Sequence, residues 1–247
     1  MKQVLLFPYG QTKALTYACR QLQKLGFLLA DKPSQQVTHL LLPVPAFDAN
    51  GHVKGTGALD PILSQLPADI AVIGGKLSCI PDRYQKIDLL EDEVYLAENA
   101  AITAHCALKL ALAQLPCTLD NCPVLVVGWG RIGKCLARLL RQVGAKVTVA
   151  ARKQTDQAML NALGYDTLSP NLIDPDRYRV IFNTAPHPLL PNCPGHALKI
   201  DLASVAGITG ADVIWARGLP NLDAPENSGI LIAKHIADYF KKTEVLL

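Results

Sequence analysis

Short β-branched and leucine-rich runs alternate along the chain with stretches whose apolar positions recur every three or four residues, which predicts strands alternating with helices. Residues 4–7 read as a strand, and Ala14, Ala18, Leu22 and Leu25 share one helical face that Gly26 ends. Residues 38–42 predict the next strand, stopped by Pro43-Val44-Pro45, since neither proline can donate to a ladder. A loop rich in Gly, Asp and Asn follows over 46–57, then a short helix over 58–66 and strands over 69–73 and 86–90. Residues 94–115 contain neither Gly nor Pro, which predicts one long helix, broken at Pro116, connecting two domains. Beyond it lies a second α/β region with strands over 124–127, 146–150, 179–183 and 197–201. The last helix, about 227–241, would carry Ile230, Ala233, Ile236, Ala237 and Phe240 on one face and pack back on the body of the protein. An α/β fold with parallel sheets is expected.

Composition narrows the function classes. The 247 residues suit one large domain or two small ones, and 50% apolar against 18% charged residues excludes a disordered chain. The net charge of +3 is spread with no Lys/Arg block longer than Lys241-Lys242, so the basic stripe that nucleic acid requires is missing. Apolar windows such as 38–42 and 124–127 fall far short of the roughly 20 residues that span a bilayer. The first residues enter a strand with no signal-peptide pattern, so a cytoplasmic location is expected. The seven cysteines form no Cys-x-x-Cys pair and read as reduced thiols, and no Cys/His cluster has metal-site spacing.

The strongest chemical signal is Gly128-Trp129-Gly130-Arg131-Ile132-Gly133, which follows the apolar strand 124–127 and opens a helix with Ile132, Leu136, Leu139, Leu140 and Val143 on one face. That context is what a dinucleotide-binding turn requires. Gly128 would allow the tight turn, Gly130 the approach of a pyrophosphate, and Gly133 close contact of helix and strand. The phosphates would sit at the helix N-terminus, where N–H groups and the helix dipole favour negative charge. After the next strand, where an NAD enzyme places an acidic residue for the ribose, this chain has Ala151-Arg152-Lys153. Arg152 offers a fork for a 2′-phosphate, so NADP (or NADPH) is expected; otherwise Arg152 and Lys153 are ordinary surface cations.

Two further strand ends, Asn183-Thr184-Ala185-Pro186 and Asp201-Leu202-Ala203-Ser204, should border the same crevice. Asn183, Thr184 and Pro186 are candidates for the nicotinamide side, with helix capping the alternative role for Thr184. Asp201 reads as structural, bonded to local N–H groups. Asn99, Thr103, His105 and Ser204 are the candidates for the substrate side, His105 for proton transfer unless it is simply a surface or packed residue. An apolar last helix and a low-charge surface point to a homo-oligomer.

Several segments, taken in order, resemble the dipicolinate synthase A-subunit family: Leu42-Pro43-Val44-Pro45, Asn99-Ala100-Ala101-Ile102-Thr103-Ala104, the glycine turn with Ala151-Arg152, Asn183-Thr184-Ala185-Pro186, Asp201-Leu202-Ala203-Ser204, Gly218-Leu219-Pro220, and Ala224-Pro225 with Ser228-Gly229. The resemblance implies two Rossmann-like doubly wound domains, arranged as in the D-2-hydroxyacid dehydrogenases. They would cover residues 1–95, with the last helix 226–247 returning to them, and an NADP-binding domain over 96–225. It implies an NADP-dependent oxidoreductase that acts with the flavoprotein B-subunit of dipicolinate synthase, in the mother cell of a sporulating bacterium. A hydroxylated tetrahydrodipicolinate, a small dicarboxylate, or its dihydro derivative would become dipicolinate. The chain departs from the family pattern at His105-Cys106 and at Glu226, where the family has Glu-Gly and a Lys. The other readings are a 2-hydroxyacid-dehydrogenase-like enzyme on another small carboxylate, or a nucleotide-binding paralogue without catalysis.

Overall fold

Strand pairing sorts the chain into two parallel sheets, seen in a computed structural model that describes residues 3–188, 190, 193, 195–210 and 212–243. Contacts divide it into two units, Met1–Asn99 with Pro220–Leu247, and Ala100–Leu219.

The first unit holds a five-stranded sheet in the order β2-β1-β3-β4-β5, built from β1 (Leu5–Pro8), β2 (Leu28–Leu29), β3 (His39–Leu41), β4 (Ala71–Gly74) and β5 (Gln85–Asp88), all parallel. Every residue of β4 is buried, as a central parallel strand covered on both faces requires. Helix α1 (Lys13–Lys24) starts where the Thr12 hydroxyl accepts the Leu15 N–H at 3.2 Å, and Gly26 follows its end at a φ of +91°. Leu25, expected on the buried face, is the C-cap instead and is exposed. Helix α2 (Asp60–Leu63) is shorter than the sequence pattern suggests, and α3 (Glu93–Gln114) runs without a break across the boundary between the units.

The closing helices α6 (Leu219–Asp223) and α7 (Pro225–Lys242) belong to the first unit from Pro220 on. Helix α7 lies against α1 at Gly229, where a Cβ would come within 2.5 Å of the Tyr17 Cβ and 2.6 Å of the Ala14 carbonyl oxygen. Its buried stripe is Leu231, Ile232, Ala233, Ile236, Ala237 and Phe240; Ile230, expected there, is 44% exposed. The apolar face is thus used within the unit, which removes the helix as an argument for an oligomer. His235, also buried, holds Asp92 through Nδ1 at 3.1 Å and Glu98 through Nε2 at 3.3 Å, tying α7 to the start of α3.

The second unit holds six parallel strands in the order β11-β10-β9-β6-β7-β8. They are β6 (Pro123–Val127), β7 (Lys146–Ala150), β8 (Asp166–Leu168), β9 (Val180–Asn183), β10 (Leu198–Asp201) and β11 (Val213–Trp215), with α4 (Arg131–Gln142) after β6 and α5 (Gln154–Ala162) after β7. The chain leaves β6 in one direction to β7 and β8, and returns on its other side through β9, β10 and β11. The switch point where open α/β sheets bind ligands therefore falls between β6 and β9. Helix α4 buries Gly133, Leu136, Ala137 and Leu140; Val143, its C-cap, is exposed and Ile132 only half-buried. Among the described residues no helix is long and apolar enough to cross a membrane.

Candidate functional site

Register across the second sheet places Ala150, Val127, Asn183, Asp201 and Trp215 in one row, each at the carboxyl end of its strand. The glycine turn starts immediately after Val127. Gly128 takes a φ of +102°, open to glycine and strained for other residues, and a Cβ on it would meet the Thr184 hydroxyl at 2.6 Å. Gly133 is pressed on that turn so closely that a Cβ would lie 2.2 Å from the Gly128 carbonyl oxygen. Around Gly130, the N-cap of α4, a Cβ would meet nothing within 4 Å. That empty space lies over the end of the helix. No side chain caps α4, and its first turn carries no acidic residue. The helix's first bond runs from the Lys134 N–H to the Gly130 carbonyl at 3.0 Å. The Ile132 and Gly133 amides precede that bond and take no backbone partner among the described residues.

In front of this helix end opens a cleft of about 730 Å³, lined among others by Gly128, Trp129, Gly130, Arg152, Lys153 and Asp156. The sequence-predicted residues divide on its walls. Trp129 is half-buried, its ring edge-on to Tyr165 at 5.8 Å between centroids, and Arg141 lies 4.2 Å over that Tyr165 ring. Arg152 and Lys153 are exposed at the end of β7. Arg131, Ile132 and Gly133 do not line the cleft: Ile132 and Gly133 turn toward the sheet, and what the segment offers a ligand is backbone N–H groups. Pro186 is also outside the lining, which passes from Ala185 to His187.

Asn183 requires correction. Its side chain is 0% exposed, donates to the Asp201 carboxylate and the Ala185 carbonyl, both at 3.0 Å, and accepts the Ala185 N–H at 3.1 Å, so nothing of it remains for a nicotinamide. Thr184 caps no helix, because none follows β9 before β10 among the described residues; its hydroxyl donates to the Val127 carbonyl at 2.9 Å and ties β9 to the glycine turn. Asp201, likewise fully buried, accepts from the Ala203, Gly207 and Ile208 amides at 2.7 to 2.9 Å as well as from Asn183. The two side chains fold the loop after β10 over the end of β9. Ser204, on that loop, is exposed. On α3, half-buried Asn99 and buried Thr103 stand one turn apart on one face, while His105, two residues on and about 200° around the helix, is exposed. The three do not form one constellation.

No known family model matches the sequence. It is 26% identical over 231 residues to the A-subunit of dipicolinate synthase from Bacillus subtilis (strain 168), covering 81% of this chain and 77% of that one. The structure matches the A-subunit of dipicolinate synthase from Bacillus halodurans with a TM-score of 0.84 at 21% identity, over 97% of this chain and 98% of that chain. Over most of its length the chain is similar to the dipicolinate synthase A-subunit. The fold, two Rossmann-like parallel-sheet domains, is shared more widely: Salmonella D-lactate dehydrogenase matches with a TM-score of 0.56 at 14% identity, over 84% of this chain and 73% of that chain.

Sequence reasoning missed Asp156, Asn171 and His187, all lining the cleft. Asp156 puts a carboxylate on the cleft that carries Arg152: it is half-buried in the first turn of α5, four residues past Arg152. Its position three residues after the α5 N-cap, Lys153, was the available signal. Asn171 lies in the 3-10 turn Pro170–Leu172 and His187 on a loop, with no periodicity to mark either.

Proposed function

We propose that the protein is an NADP-dependent oxidoreductase of the dipicolinate synthase A-subunit type, working on a small dicarboxylate together with the flavoprotein B-subunit. The observation that carries this is the glycine turn: an uncapped helix N-terminus faces open space at Gly130, with Arg152 and Lys153 just past the end of the neighbouring strand β7 on the same cleft. These residues fit a dinucleotide phosphate. The Ile132 and Gly133 amides would hold the pyrophosphate, and Arg152 would take the 2′-phosphate in a bidentate grip. Asp156 would face the adenosine ribose, and its charge sets a distance that the 2′-phosphate must keep by lying on the Arg152 side. A bound oxidised nicotinamide would supply the hydride acceptor that the conversion requires, since hydroxytetrahydrodipicolinate gives the aromatic ring of dipicolinate by loss of water, a hydride and a proton. The Asn183–Asp201 pair does not touch these groups; it fixes the two strand ends beneath them. Within this reading the reaction belongs to the mother cell of a spore-forming bacterium.

The structure's buried imidazole–carboxylate cluster, His235 with Asp92 and Glu98, lies between helices of the first unit and not at a strand end, which disfavours the 2-hydroxyacid-dehydrogenase reading. Calorimetric titration tests the cofactor. NADPH is expected to bind more tightly than NADH, and Arg152→Ala to weaken NADPH by about tenfold while leaving NADH unchanged, the loss typical of one charge-assisted contact at an exposed site. Tighter binding of NADH by the unmodified protein overturns the NADP assignment. Mixing the protein with the flavoprotein, NADP and fresh hydroxytetrahydrodipicolinate should then produce the absorbance of dipicolinate.

A further inference from the structure

The carboxyl row of the second sheet carries an arginine at each end, and only one of them has a role so far. Arg152 follows β7 by two residues, and Arg217 follows β11 by two. Four strand spacings separate β7 from β11, about 19 Å, so the two guanidiniums serve different groups. Arg217 is exposed and has no ion-pair partner among the described residues, yet it is not loose. Its guanidinium lies 5.2 Å from the centroid of the Trp215 ring. That indole is anchored in turn, donating from Nε1 to the Ala203 carbonyl at 3.1 Å, and Trp215 is paired in register with Asp201. Ala203 and Ser204 stand on the loop that the buried Asp201 carboxylate holds in place. The chain from Asp201 to Arg217 is therefore a series of fixed contacts ending in a cation held on a half-exposed indole, whose anchor Ala203 is followed by the exposed Ser204.

We infer that Arg217, steadied on Trp215, is the residue that takes a carboxylate of the substrate, with the Ser204 hydroxyl beside it. This rests on the dinucleotide reading above: with adenosine at the Arg152 end and the pyrophosphate at the helix before β7, the nicotinamide lies toward β9 and β10, and an acid beside it meets the β11 end. Stacking on an indole leaves the edge of the guanidinium, with its paired N–H groups, directed outward for a bidentate carboxylate. Arg217 is a positioning residue, since it orients the acid and exchanges no proton or hydride.

The test uses the full chain and pyridine-2,6-dicarboxylate as probe, titrated with and without saturating NADP, beside the neutral pyridine-2,6-dicarboxamide. Arg217→Met should weaken the dicarboxylate at least tenfold, Arg217→Lys less, and neither should change NADP affinity, binding of the diamide or the thermal midpoint. A steady-state assay should show the loss in KM more than in kcat. Equal dicarboxylate affinity in Arg217→Met and the unmodified protein, or no dicarboxylate binding by a protein that still binds NADP, overturns the inference. Failure to bind NADP at all rejects the dinucleotide reading instead, and the cofactor-free titration then still decides the role of Arg217. Trp215→Phe, which keeps a ring but loses the anchor to Ala203, should give an intermediate loss.

Discussion

A methyl group added to Gly130 and one added to Gly133 should fail in opposite ways, although the two positions share a turn. At Gly133 the new carbon would be driven into the Gly128 carbonyl, so Gly133→Ala should cost about 2 kcal/mol or more in denaturant unfolding, as overpacking does. At Gly130 it would meet no protein atom and project into open space, where the proposed dinucleotide would place its phosphate. Gly130→Ala should leave the unfolding midpoint unchanged and weaken NADPH in calorimetry. The tight turn at Gly128 and the close contact at Gly133 were legible from their spacing alone, because backbone sterics are local. Asn183 was not, since its partner Asp201 is 18 residues away and only strand register brings them together. Removing that partner with Asp201→Ala strands three buried amides and the Asn183 amide group, and should destabilise the protein by about 3 kcal/mol or more in denaturant unfolding.

His39 adds a titration that can be read directly. Burial lowers its pKa to about 4, with its ring edge-on to Phe240 at 4.9 Å. An unfolded histidine titrates near 6.5, so between these values the unfolded chain binds the extra proton. Stability should be full above about pH 6.5 and fall as the pH drops toward 4, by about 3 kcal/mol across that window. Below it, Glu98, held low chiefly by the Lys234 ammonium, adds to the loss. Asp92 acts in the same direction: burial is the largest influence and raises its pKa, but the Tyr95 and Val94 amides and His235 together outweigh it. His39→Phe should flatten the upper part of a pH–stability curve followed by circular dichroism.

At the scale of the element, the contact of α1 with α7 rests on Gly229 facing Ala14, Tyr17 and Ala18. Gly229→Val should push the helices apart and destabilise the first unit by about 2 kcal/mol, measurable as an earlier unfolding transition with NADPH affinity retained. The long helix 94–115 and strands such as 146–150 were readable because their apolar pattern is sustained. What escaped are β2, β8 and β11, of two or three residues each. Such edge strands are defined by the neighbour that accepts them, and Asp166-Thr167-Leu168 has no alternation of its own to announce it. The buried side of α7 was misjudged by one residue at Ile230 because the glycine at 229, and not the largest side chain, marks where the partner helix approaches.

At the scale of the molecule, the two units are unequal in how the chain makes them. Ala100–Leu219 is continuous, whereas the first unit lacks α6 and α7 until the last stretch of chain is present. Phe27 and His39, near the start, rest against Phe240, near the end. On a translating ribosome, where domains ordinarily fold from the N-terminus onward, the second unit can therefore be finished while the residues made before it are still waiting. The order of completion inverts the order of synthesis. Limited proteolysis of a released chain that ends at residue 219 should find residues 100–188 protected and residues 3–90 cut. The full chain should close that difference.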